Sequence, residues 1–563
     1  MRSACEGEPR YKEHEGKQYC LFHYPGSEKR DVFMAGLRAR GHENFNFRGF
    51  WFPDWISFYG VEFPSAADFS GANFSVGASF YQVVFEADVD FDATNFAGEA
   101  DFRLTTFRGR ANFQKNTFGG STNFSEAVFG AEASFGSANF MATAYFSKVR
   151  FSEQAIFNLA KFSGASFFDR IRFSGAATFH STAFSGMSSF DQATFGGDAK
   201  FRETTFSSEA IFGAAEFIAS ANFTSAKFSK LAHFGSVKFR ETASFGSAKF
   251  SGDAWFVETA FNTDAYFGFV TFDAEANFGS AKFNAAACFS SANFGGKVDL
   301  TFAEFKAMVD CHEASFGDEV RFSGDETNCV FQPGSSLNLQ FVRVEKPNRI
   351  SFHTLTLSPH WFINVDARKF DFINVHWTNY GKVTEEIGLL EGRQVASPHR
   401  LLGIACRRLS ANAEENDRYR EASTFRRMAG DAQRLETWRG FDLRSLNWWY
   451  WLASGYGERP SQAMLMLLAI LLVFGMLYTR VGFVRWEPRL ATEADTVVAR
   501  RDEVGAPLRF GRALTYSALV ITLQKPEPKP ATSAAQTMVL LETILGPVQA
   551  ALLALAIRRK FMR

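Results

Sequence analysis

The run Phe69-Ser-Gly-Ala-Asn-Phe74-Ser-Val-Gly-Ala-Ser-Phe80-Tyr-Gln-Val-Val-Phe85 carries the pattern that decides the fold. Its phenylalanines are spaced five, six and five residues apart. Working outward, the same alternation runs from Phe47 to Phe322 and includes Phe190 and Phe195. The row has 51 slots, 49 of them phenylalanine, and only Leu300 and Cys311 depart from it. A fixed period over half a chain marks a solenoid. Two residues before the Phe stands something small, as in Ala72, Ala78, Val89, Thr94 and Ala100. In extended chain, positions i and i+2 share a face, so the large and the small residue both point inward. An immediate neighbour such as Ser189 should then face outward. Ser, Gly, Asp and Arg dominate after each Phe and suit a corner.

The five/six alternation sets the number of sides. A three-sided coil would hold sixteen residues, then seventeen, and would stack unlike corners. A four-sided coil holds twenty-two each time and stacks Phe on Phe. The ladder then contains between twelve and thirteen coils, a rod roughly 60 Å long at ~4.8 Å per coil.

Strings such as Ala72-Asn73-Phe74, Ala138-Asn139-Phe140 and Ala292-Asn293-Phe294 resemble the pentapeptide-repeat proteins. That resemblance implies a right-handed four-sided parallel β-helix over about half the chain, residues 47–323. The extra residue in every second unit gives an eleven-residue period and is expected to widen two corners of each coil. Some soluble members of the family resemble DNA and bind topoisomerase. Residues 58–324 hold 20 basic and 29 acidic side chains, and the residues after them 31 and 23, so this rod is only mildly acidic. No nucleic-acid partner is expected.

Before the rod, residues 1–46 read as a cap. Cys5, His14, Cys20 and His23 fall within nineteen residues, and thiolate plus imidazole suits a structural zinc ion. The other reading is a plain apolar cap, with Tyr19 to Tyr24 closing the open end of the solenoid. Both stay open at this point; no other cofactor is expected. No phosphate loop, zinc-protease helix, nucleophile elbow or dinucleotide fingerprint occurs, so no enzyme is expected.

After residue 323 the row stops, and residues 324–380 read as irregular capping coils. Residues 381–440 turn helical: Ser397-Pro398 is a start signal, and Leu401, Leu402, Ala405 and Leu409 make one apolar stripe. A second stripe, Tyr419, Ala422, Phe425, Ala429 and Ala432, completes a helical hairpin. Residues 441–563 read as a membrane module. Trp448, Trp449, Tyr450 and Trp451 form an interfacial belt over 446–456. Ala463 to Tyr478 carries no charge and is the core of a first span, 462–479; Thr537 to Ile557 is a second span. The basic end Arg558-Arg-Lys-Phe-Met-Arg563 places both termini in the cytoplasm, with the spans in the cell inner membrane.

Residues 510–523 are too short to span and suit a re-entrant helix. The stretch 510–563, with Tyr516-Ser517, Thr522, Glu542 and Gly546, resembles the two-span channel-like module of some membrane pentapeptide-repeat proteins. The whole is thus expected to be a mixed fold: β-helix, helical hairpin, two membrane helices and a pore-like helix. The resemblance implies a homo-oligomer such as a tetramer, a cytoplasmic β-helix that gates it, and pore residues among Thr522, Gln524, Lys525, Glu542 and Gln549. Leu523-Gln-Lys-Pro-Glu-Pro-Lys-Pro530 contains no glycine, so potassium selectivity is not expected. The alternative is a membrane-anchored scaffold without flux, whose β-helix binds a protein partner.

Overall fold

The computed structural model describes residues 9–39, 45–325, 330–437, 445–490 and 497–561, which form two compact units. The first is Met1–Leu357 with Lys369–Trp377, and the second is Ser358–Arg368 with Thr378–Arg563.

In the first unit the short strands of the repeat pair with their equivalents twenty-two positions away. Phe96 pairs in parallel with Phe74 and Phe118, and Ala100 with Ala78 and Thr122. The result is a four-sided parallel solenoid whose sheets hold 15, 14, 13 and 12 strands. It is longer than the Phe row suggests, about fifteen coils rather than twelve to thirteen. The extra coils come from Ser336–Asn338, Arg343–Val344, Ile350–His353 and Asp371–Ile373, which join three of the same sheets. Phe352 and Phe372 occupy inward slots there, so burial continues although the spacing does not.

Inside, the rings form four columns. Phe80 stacks on Phe58 and Phe102 at 4.9 and 4.8 Å between centroids. It meets Phe69 and Phe91 edge-on at 5.6 and 5.4 Å. Both geometries are favourable for aromatic pairs. Ala78, Ala100 and Ala144 in the small slot are fully buried.

Five- and six-residue units turn their corners differently. In the five-residue unit, Val83 N–H donates to Phe80 O at 3.2 Å, and Gln82 between them has φ 57°. This left-handed position recurs every eleven residues. From Gln82 to Glu313 it is filled by non-glycine residues without exception, after Gly60 and Gly71. The six-residue unit uses its additional residue for a wider corner that, apart from Gly77 at φ 138°, avoids positive φ. An L-residue at positive φ is strained by about 1–2 kcal/mol. Gly71→Ala should therefore lower stability by about 1 kcal/mol and Ala93→Gly should raise it by a similar amount. Urea unfolding midpoints of the full chain report both.

The two breaks in the Phe row have a structural cost. Leu300 and Cys311 line a cavity of about 20 Å³ with Phe278, Phe289, Phe305 and Phe322. The walls are apolar, and burial pushes the Cys311 thiol up. Leu300→Phe, which restores the stack between Phe278 and Phe322, should stabilise the solenoid by about 0.5–2 kcal/mol, again read as a higher unfolding midpoint.

Ser189 departs from its expected exposure. It does point outward, but it is only 6% exposed and donates a hydrogen bond to Asp169. Burial holds the Asp169 carboxyl above the usual carboxylate range. At this position the outward side chain is covered by a neighbour in the adjacent coil, so "outward" does not always mean "free".

A hairpin of β1 (Arg10–His14) and β2 (Lys17–Cys20) precedes α1 (Arg30–Ala39) at the start of the solenoid. Phe22 stacks on Phe50 at 4.8 Å, and Trp51 N–H donates to Phe22 O at 2.8 Å, so the segment after β2 lies against the first coil.

The second unit is helical. It contains α2 (Val383–Gly392), α3 (Pro398–Glu415) and α4 (Tyr419–Thr437). Glu386 in α2 is fully buried and accepts from His360 N–H and Asn379 Nδ2, both at 2.9 Å. Helices α3 and α4 pack through Leu402, Ala405 and Leu409 against Ala422, Phe425 and Ala429. Then come α5 (Leu446–Ser454), α6 (Pro460–Tyr478), α7 (Phe510–Ile521) and α8 (Ser533–Phe561). Strands Phe483–Leu490 and Val497–Ala506 pair as an antiparallel hairpin between α6 and α7.

Candidate functional site

Helices α6 and α8 are 19 and 29 residues long, about 28 and 43 Å, and both are long and apolar enough to cross a membrane. Helix α7, of 12 residues, packs against both of them.

The polar residues that link the three helices, Glu542, Tyr478 and Ser517, face inward, while Thr515 and Thr543 are exposed and donate to Gly511 O and Val539 O of their own helices. Glu542 of α8 is fully buried. Tyr478, the last residue of α6, donates its hydroxyl to Glu542 Oε2 at 2.5 Å. Ser517 of α7 donates to Oε1, and its hydroxyl also lies 3.3 Å from Leu471 O of α6. One carboxylate therefore holds three helices. Around it pack Phe474, Phe483, Tyr516 and Val520, with the Tyr478 and Tyr516 rings edge-on at 5.2 Å. Gly546 allows the close approach: a Cβ there would lie 2.7 Å from Ile521 Cγ1 and 3.1 Å from Ile521 Cα.

Seven residues along α8, Gln549 is 3% exposed. Its Nε2 donates to Ala453 O at 2.7 Å and Ala463 O at 2.8 Å, tying α8 to the end of α5 and the start of α6. The connection between those two helices is an elbow in which Gly455, Tyr456 and Gly457 all have positive φ, 54, 63 and 73°. Glu458 follows with its side chain 2% exposed. Its Oε1 accepts from Arg426 Nε of α4 at 2.8 Å and Arg559 Nη1 of α8 at 3.0 Å. Burial pushes the Tyr456 phenol up to about 12, and it lies 3.4 Å from Asp431 Oδ1 as a neutral donor.

The outward faces are apolar. Met464, Leu465, Leu468, Val473 and Met476 of α6 are about half exposed or more, as are Leu540, Leu541, Ile544, Leu545 and Val548 of α8. This distribution is inverted relative to a helix of a water-soluble protein, which buries its apolar stripe.

Of the residues expected to act together, Glu542 and Gln549 do lie on one face of α8. Thr522, Gln524 and Lys525 do not join them. All three are exposed, and the Thr522 hydroxyl bonds back to Ala518 O and Leu519 O at 3.1 and 3.0 Å. Nothing in the structure sets α7 as re-entrant. At the N-terminus, Cys20 and His23 meet: Cys20 Sγ and His23 Nδ1 are 2.9 Å apart. His14 is exposed at the turn end of β1, opposite Lys17, and Cys5 lies outside the described residues. Among the described residues, no group of three or more His, Cys, Asp or Glu side chains comes together as a metal site. Tyr478, Ser517 and Glu458 are the residues sequence reasoning did not single out as partners. The only local signal for the first was a tyrosine ending an uncharged run.

A family model described as pentapeptide repeats matches in nine copies, among them residues 58–106, 104–150, 157–205 and 168–216. No curated protein and no solved structure matches the chain significantly. The chain is a pentapeptide-repeat solenoid followed by helices, two of which are long and apolar enough to span a membrane.

Proposed function

We propose that the protein is a membrane-anchored scaffold: α6 and α8 hold it in a bilayer, and the solenoid offers its long outer surface to a protein partner. The basic run Arg558-Arg559-Lys560 at the end of α8 favours a cytoplasmic location for the chain ends. The observation that carries this reading is the inverted polarity of α6 and α8. Lipid is a solvent for Leu, Met, Val and Ile side chains, and polar groups in it must be satisfied within the protein.

The same observation disfavours a pore. Conduction needs polar side chains or carbonyl rings along an axis. Glu542 and Gln549, the polar residues of α8 with that prospect, are engaged with Tyr478, Ser517, Ala453 and Ala463. Pro526, Pro528 and Pro530 follow α7 where a filter would need glycine. In planar bilayers the purified full-length protein should insert and stay electrically silent, and membrane fractions should retain it after carbonate washing. Reproducible unitary currents, lost on Glu542→Gln, would establish the channel in place of the scaffold. Release by carbonate would remove the membrane anchor.

A further inference from the structure

The elbow between α5 and α6 gathers more arginines than its carboxylates pair. Glu458 is shared by Arg426 and Arg559. Arg426 also donates to Glu414 Oε2 at 2.6 Å. Asp431 Oδ1 lies 3.4 Å from Arg434 Nη2. Two guanidiniums are left over. Among the described residues, neither Arg427 of α4 nor Arg459 has an acidic partner within ion-pair distance.

Packing holds these two side chains near each other. Helix α4 rests on the elbow: a Cβ on Gly430 would lie 2.8 Å from the Tyr456 ring. Arg427 is one turn before Gly430, on the same side of α4. Arg459 follows Tyr456 by three residues and folds back over Gly455, where a Cβ would lie 3.0 Å from its Cδ. Arg427 is half-buried and Arg459 is exposed. Burial, and after it the charge of Arg459, hold the Arg427 pKa below the usual arginine value. Gly381 stands beside Arg427 Nη2, where a Cβ would meet it at 3.2 Å, so no side chain covers the guanidinium from there.

The elbow also stands at the edge of the apolar surface. Met464, five residues past Arg459 and ~7 Å further along α6, begins the exposed apolar face of that helix. On the other arm, Leu446 and Trp449 of α5 are 85% and 44% exposed. Exposed tryptophan beside a span sits at headgroup depth, which is where lipid phosphates lie. Phosphate oxygens accept paired guanidinium N–H bonds, and two unpaired positive charges favour a lipid of net negative charge over a zwitterionic one. We propose that Arg427 and Arg459 bind the phosphate of an anionic phospholipid at this elbow, an inference that rests on the anchoring reading above.

The test is native mass spectrometry of the full-length protein in neutral detergent, titrated with phosphatidylglycerol or with phosphatidylcholine of the same acyl chains. Phosphatidylglycerol should bind about tenfold more tightly or better. Arg427→Gln and Arg459→Gln should each weaken it about fivefold and leave phosphatidylcholine unchanged. Arg459 is exposed, so its replacement disturbs no packing and the test does not depend on Arg427 alone. Arg558→Gln removes an equal charge from an exposed site at the end of α8 and should change binding by less than about twofold. Equal affinity for the two lipids would overturn the proposal, as would an equal loss in Arg558→Gln, the mark of diffuse charge. Displacement of the lipid by excess inorganic phosphate would assign the pair to a soluble anion and overturn the lipid. Flotation with phosphatidylcholine vesicles tests the anchor separately. Protein that floats but shows no lipid preference overturns this proposal alone, whereas protein that does not float overturns the anchoring reading and this proposal with it.

Discussion

Replacing Phe190 with alanine is expected to destabilise the solenoid by about 3–5 kcal/mol, the range for emptying a fully buried aromatic slot. Phe190 is 0% exposed. It stacks on Phe168 at 4.6 Å and Phe212 at 4.9 Å, and it meets Phe179 and Phe201 edge-on at 5.6 and 5.5 Å. The backbone cannot close the gap, because Phe190 N–H is bonded to Ile211 O and both adjacent coils are pinned in the same way. The proper control is Lys200→Ala, at an exposed outward position, which should change stability by less than about 0.5 kcal/mol. Ser189 is unsuitable as a control, since its hydroxyl is spent on Asp169. Denaturant unfolding of the full-length protein measures both, and equal losses at Phe190 and Lys200 would refute the inward columns.

The second large effect is expected at Glu542. Glu542→Ala leaves the Tyr478 hydroxyl without its acceptor and the Ser517 hydroxyl with only the longer contact to Leu471 O. Each buried polar group left unpaired costs about 1–3 kcal/mol, so the packing of α6, α7 and α8 should weaken by roughly 2–4 kcal/mol. Glu542→Gln keeps one carbonyl acceptor and the side-chain shape, and should lose less. Unfolding in detergent micelles, followed by tryptophan fluorescence from the α5 segment, reports the difference. An alanine variant as stable as the parent would mean that Glu542 is not a clamp.

How much of this was legible in the chain varies with the range of the interaction. The solenoid was readable because each Phe slot repeats its own environment twenty-two residues later, so one coil predicts the next. The final coils were harder to read. Beyond residue 323 the inward residues include Leu337, Ile350, Phe352 and Phe372, at spacings set by irregular corners rather than by a period. The positive φ at every eleventh residue was hidden, since Gln82, Leu104 and Phe269 are not residues that announce a left-handed turn. Neighbouring coils impose that conformation through hydrogen bonds such as Gln82 N–H to Arg103 O, 3.0 Å.

The polar stripe of Glu542 and Gln549 was visible from their seven-residue separation, but its direction was not. Tyr478 lies 64 residues from Glu542 in sequence and Ser517 lies 25, and no local spacing reveals such partners. A stripe that could line a pore and a stripe that locks a helix cluster look alike until the neighbours are known. The same holds for Glu458, whose arginine partners come from α4 and from the last turns of α8. The zinc reading shows the opposite case. The residue types were visible, while hairpin register separates His14 from Cys20 and His23.

The central claim is that α8 turns Glu542 and Gln549 inward and its apolar residues to lipid. Spin labels at Leu545, Val548 and Gln549, each introduced through a single cysteine in the full-length protein with Glu542 intact and reconstituted into vesicles, test it most directly. Leu545 and Val548 are about half exposed, whereas Gln549 is 3% exposed. The expected result is strong relaxation of the first two labels by oxygen dissolved in the bilayer, and shielding of the third from both oxygen and a water-soluble nickel complex. Relaxation of the Gln549 label by the nickel complex, as for a residue facing an aqueous pore, would contradict the claim.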